Sequence, residues 1–126
     1  MAISYTDQFL EEMDNDVGYI EACLKTLEQK INEAANTKKK KLVELEDYII
    51  SRFEYLASRI VDLKETIDSY SDGIFIYDED IESFNDIKIR YNKCVDDYEK
   101  FYQLARKLLD TSLYVPAKRN IKQLEL

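Results

Sequence analysis

The residues of this chain best suited to chemistry are carboxylates gathered about one turn. From Asp68 to Asp80 the sequence reads DSYSDGIFIYDED, so Asp68, Asp72, Asp78, Glu79 and Asp80 bracket Asp72-Gly73, a dipeptide that permits positive φ. Most other chemistry lacks its residues. The chain has no histidine, which removes the usual general base, zinc ligand and triad partner. Two separated glycines, Gly18 and Gly73, cannot form a phosphate loop or a dinucleotide fingerprint. Cys23 and Cys94 form no CxxC pair, which argues against both a zinc site and a disulfide framework. Reduced, partly buried thiols in a soluble cytoplasmic protein are the expectation.

Aligned on the twelve-residue calcium loop of EF-hands, Asp68, Asp72, Gly73 and Glu79 take the first, fifth, sixth and twelfth places, with Phe75 in the apolar eighth. The stretch partly resembles that family, and the resemblance implies calcium ligation by these carboxylates. The departures are specific. Tyr70 stands where a carboxylate or amide ligand belongs, Ile76 cannot supply the ninth ligand, no second loop is present, and the flanking helices exceed the family pattern. A di-iron bundle fails for a related reason, since none of the seam positions of the three helices described next is a carboxylate. The expectation is therefore no enzyme, no catalytic residue, no metal and no cofactor.

Three periodic stretches must position whatever the chain presents. Leu42, Leu45, Ile49, Phe53, Leu56, Ile60, Leu63, Ile67 and Tyr70 recur at steps of three and four, one apolar face of a helix about which the rest is organised. Before it, Leu10, Met13, Val17, Ile20, Leu24, Leu27, Ile31 and Ala34 fall on heptad a and d positions. After it, Phe84, Ile87, Tyr91, Cys94, Tyr98, Phe101, Ala105 and Leu108 do the same, widened by Val95, Tyr102 and Leu109. Gly18 within the first stretch predicts close helix contact or local looseness.

Helices are predicted over about 5–35, 39–70 and 78–112, and such equal lengths suit an all-α, three-helix antiparallel bundle with coiled-coil-like heptads. Residues 36–41 contain no Gly or Pro, so a single long first helix, folded as a hairpin and oligomeric as a coiled coil, is the competing architecture. The cysteines separate the two. In the bundle, Cys23 and Cys94 lie level on parallel helices, which predicts close thiols.

Composition sets the limits on partners. Charged residues make up 35% of the chain and the formal net charge is −8. Residues 1–112, the expected bundle, carry −10, and the basic tail 113–126 carries +2. So acidic a body repels nucleic acid and anionic membrane, which leaves proteins with basic surfaces, or copies of itself, as partners. Lys38 to Lys41 read as a solvated helix junction. Candidate partner-binding residues are the apolar run Ile74, Phe75, Ile76 and Tyr77 and, on the tail, Ile121 and Leu124, although either segment can instead fold onto its own bundle. The expected function is a protein–protein interaction or assembly subunit acting through helix faces. The alternative is an acidic inhibitor, such as an immunity, anti-toxin or phage anti-defence protein, that masks a basic surface of its target.

Overall fold

The computed structural model describes residues 5–37, 39–73, 78–109 and 113–126. Three α-helices, α1 (Tyr5–Ala35), α2 (Lys39–Gly73) and α3 (Asp78–Leu108), are followed by a 3-10 helix, Pro116–Asn120. They form the three-helix antiparallel bundle, with contacts among all three helices. The apolar run Ile74 to Tyr77 and the end of the expected third helix, 110–112, lie outside the described residues.

Side chains end α1 where no Gly or Pro does. Thr37 Oγ1 donates to the Glu33 carbonyl at 2.6 Å and Asn36 Nδ2 to the Asn32 carbonyl at 2.9 Å, so two carbonyls of the last turn gain side-chain donors. The single long helix is therefore not formed. At its other end α2 continues through the expected break, and its described residues reach Gly73. Asp68 to Gly73 are consequently helical and do not form the first half of a calcium loop. Asp68 pairs instead with Lys64 at 2.7 Å, one turn earlier. In α3 the acidic Asp78, Glu79 and Asp80 occupy the first turn and Arg106 and Lys107 the last, as the helix dipole favours.

The three predicted stripes meet in one core. All eight a and d positions of α1 are buried, as are Ile49 to Tyr70 of the α2 stripe and Phe84 to Ala105 of the α3 stripe. Leu45 and Leu108 are half-buried against it. Each fully buried Leu, Ile or Phe contributes about 1.5–3 kcal/mol relative to exposure. Phe53 anchors the middle. The Tyr98 and Tyr102 rings meet it edge-on at 5.2 and 5.6 Å between centroids, and the Tyr98 hydroxyl donates to the Phe53 carbonyl at 2.9 Å. Phe9, Tyr70 and Phe84 meet as tilted rings near the end that holds the α1 and α3 N-termini, with centroids 6.0 and 5.0 Å apart in succession.

Packing is uneven, and the tail exploits this. Helix α1 lies closely along both partners, whereas α2 and α3 approach each other less and the 3-10 helix packs against α2. Leu113, Val115 and Leu124 are buried in the same core as the helices, with Ala117 and Ile121 half-buried on it. Residues 113–126 are thus a fourth element of the bundle rather than a separate tail.

Candidate protein-interaction surfaces

Contacts at two levels fix the helix directions: Leu10, Glu11 and Asp14 of α1 face Asp78 to Ile89 of α3, and Glu21 to Glu28 face Lys93 to Phe101, so α1 and α3 run parallel. Between these levels Arg90 of α3 donates to Glu21 through Nη2 at 2.6 Å and Nε at 3.3 Å, and through Nη1 to Asp14. Asp86 adds a third carboxylate at 3.8 Å. Glu21 first of all, and then Asp14, hold the guanidinium above its ordinary pKa against the cost of burial. Gly18, between Asp14 and Glu21 on α1, lies under this bridge. A Cβ there would meet only Arg90 Nη2, at an ordinary 3.7 Å, so Gly18 marks no close backbone approach.

These directions sort the charge along the bundle axis. The N-terminal halves of α1 and α3 and the C-terminal half of α2 share one end, covering residues 5–20, 57–73 and 78–93. They hold fourteen acidic and five basic side chains, net −9, while all remaining residues total +1. The whole net charge of the protein lies at one end. Two parallel helix N-termini there favour carboxylates, which accounts for some of the excess.

At this acidic end a groove of about 1110 Å³ opens between α1 and α3, lined by Leu10, Glu11 and Asp14 on one side and by residues from Asp78 to Ile89 on the other. Its rim is apolar as well as acidic. Ile81 and Ile89 are 43% and 55% exposed on the same face of α3, outside the buried stripe. Asp14 and Asp86 belong to the Arg90 cluster, whereas Glu11, Asp78 and Glu82 lie outside its ion pairs.

The α1–α2 side has a different character. Tyr48, Arg52, Tyr55 and Arg59 follow one another along α2 at i, i+4, i+7 and i+11, opposite Lys30, Thr26, Cys23 and Tyr19 of α1. The Arg52 guanidinium lies over the Tyr48 and Tyr55 rings at 5.3 and 5.7 Å, and Arg59 over Tyr19 at 5.0 Å. Lys30 sits over Tyr48 at 5.8 Å, and Tyr19 and Tyr55 share a hydroxyl hydrogen bond of 3.1 Å. That bond, followed by the one to Cys23, raises the Tyr19 phenol to about 12. Cation–π pairs at exposed sites are worth about 0.5–1 kcal/mol each. This ladder escaped the sequence reading although its i, i+4, i+7, i+11 spacing is plain on the solvated face of α2.

The expected binding residues of the tail are placed inside the fold. Asn92 of α3 donates from Nδ2 to the Leu124 carbonyl at 3.0 Å and accepts from the Leu124 amide at 2.7 Å, imitating a strand pairing. Tyr91 donates to the Lys122 carbonyl at 2.8 Å, Gln123 donates to Asp96 at 2.6 Å, and Lys118 pairs with Glu99 at 2.6 Å. Burial raises the Glu99 carboxyl, but Lys118 and Gln103 more than offset it and the net shift is downward. In this conformation Leu124 is buried and Ile121 half-buried against the bundle's own core. Ile74 to Tyr77, the other expected surface, fall outside the described residues.

The thiols are free and do not share a site. Cys94 is buried beside Glu21 and Leu24 in a second cleft between α1 and α3, whereas Cys23 faces Tyr19, Tyr48 and Arg52 on the α1–α2 side. The two helices are in the expected register, but Cys23 of α1 is turned to the α1–α2 side, away from Cys94 on the α1–α3 side, so the expected close thiols do not form. Among the described residues no three Cys, Asp or Glu side chains converge to hold a metal ion, and no helix is long and apolar enough to cross a membrane. No protein-family model matches the chain, and comparisons with curated proteins and with solved structures return no similar protein.

Proposed function

We propose that this chain is a non-enzymatic protein-binding bundle that covers a basic surface of a protein partner with its acidic end. The supporting observation is the segregation of charge, with net −9 at one end of a molecule whose total is −8. A field so polarised steers a basic partner to one end of the bundle and orients it on approach. The reading joins the expected interaction module to the acidic inhibitor considered as its alternative, since masking a basic active or nucleic-acid site is what such an end does best. Assembly into a coiled-coil polymer is less favoured, because the full α1 stripe is already buried within the chain. Two reduced thiols fit a cytoplasmic setting for this activity.

The test is recovery of partners from the source cells with the wild-type protein and with a variant carrying Glu11→Lys, Glu12→Lys and Glu82→Lys, three exposed positions. The wild type should retain a basic protein that elutes as salt rises, and the variant should lose it. A partner retained equally by both, and indifferent to salt, would reject the proposal.

A further inference from the structure

We infer that the α1–α3 groove at the acidic end is a docking site for a basic amphipathic helix of the partner. The inference rests on the proposed function and adds the site and the shape of its occupant. Helix α3 presents Ile81, Asn85 and Ile89 at i, i+4 and i+8, and the two isoleucines stay 43% and 55% exposed although every isoleucine of the α1 and α3 a and d positions is buried. Eight residues at 1.5 Å per residue separate them by about 12 Å along the axis. Apolar side chains at i, i+4 and i+8 of an incoming helix match that spacing.

Charge then chooses the flanks of the occupant. Glu11 on α1 and Asp78 and Glu82 on α3 line the groove and stand outside the Arg90 ion pairs, so they face solvent with their charge unspent. An occupant with Lys or Arg on both sides of its apolar stripe satisfies these carboxylates while the stripe covers Ile81 and Ile89. A volume of about 1110 Å³ is large enough for a few side chains from one helix face and too open for an enclosed small molecule. A second copy of this chain is a poor occupant, because the acidic ends repel.

The experiment uses the full chain and two synthetic peptides of about 15 residues, a length at which an isolated helix is marginal and gains order on docking. Both contain the same Leu, Ala and Arg residues and a fluorophore. One places Leu at i, i+4 and i+8, and the other shuffles the order so that no apolar face remains. Fluorescence anisotropy should show the ordered peptide binding at least tenfold more tightly than the shuffled one. Ile81→Ser with Ile89→Ser should abolish the difference with helicity unchanged, since both side chains are exposed. Equal, salt-sensitive binding of both peptides, unaffected by the isoleucine changes, would overturn the groove and leave the acidic end as a general cation-binding surface. Failure of both peptides to bind at low salt would overturn the groove and the proposed function together. Self-association of the free protein that those two substitutions abolish would make the occupant a second copy and also overturn the inference.

Discussion

Burial of neutral acids governs how individual residues answer to pH. Tyr98 and Tyr91 are fully buried, and desolvation, ahead of smaller contributions from neighbouring groups, raises both phenols above their ordinary range. The Cys94 thiol is pushed up to about 12, by burial first and then by Glu21 and Asp97. A folded pKa above the unfolded value means stability fully present below the unfolded pKa and lost as pH rises toward the folded one. For a thiol and a phenol that loss begins at about pH 8.5 and 10 respectively. The absence of histidine leaves no side chain with an ordinary pKa near neutrality. The urea midpoint should therefore be flat from about pH 6 to 8 and fall steeply above about pH 9.5. Phenolate absorbance should rise together with loss of helix. Tyrosines that ionise near pH 10 without any change in the midpoint would show that Tyr91 and Tyr98 are not sealed in the core.

At the scale of elements, one amide makes two of the hydrogen bonds that hold the tail. Asn92 both donates to and accepts from the Leu124 backbone, so Asn92→Ala removes two hydrogen bonds and loosens residues 122–126. A cost of about 1–3 kcal/mol in urea unfolding is expected, from roughly 0.5–1.5 kcal/mol per bond. Amide exchange at Leu124 should accelerate well before that of Phe53 or Tyr98. Uniform loss of protection would instead mean that the tail and helices unfold as one unit.

The helices themselves were legible in the sequence because their period is local. Leu10 to Ala34 is buried residue for residue as the heptad predicts. The tail was only half legible. Pro116 stands at the start of the 3-10 helix, a position that proline favours, but nothing local to Ile121 or Leu124 reveals that the helices leave room for them. Asn92 looks like any solvated polar residue until Leu124 is brought opposite it by a chain 32 residues further on. The groove rim was hidden for the reverse reason. Ile81 and Ile89 are unremarkable singly, and only the pairing of α3 with α1 leaves both uncovered.

On the scale of the whole molecule, the charged end sets function against stability. Fourteen carboxylates and five cations share one end, and Arg90 answers only Asp14, Glu21 and Asp86 directly. The remaining like charges repel across distances that salt can screen, since the Debye length shrinks from about 30 Å at 0.01 M to about 10 Å at 0.1 M. If that repulsion outweighs the exposed ion pairs, each worth about 0–1 kcal/mol, added salt must stabilise the free protein. Between about 0.01 and 0.5 M NaCl the melting temperature should rise by roughly 3–6 °C, the shift expected from about 1 kcal/mol in a domain of this size. Neutralising Glu12 and Glu79, both exposed and outside every ion pair among the described residues, to Gln should raise the melting temperature at low salt and flatten its salt dependence. A melting temperature that falls with salt would mean that the Arg90 cluster and its neighbours dominate, and that the acidic end costs the fold nothing. The distinction reaches function, because charges that destabilise the chain bearing them are explained by a basic partner in a way that charges serving the fold are not.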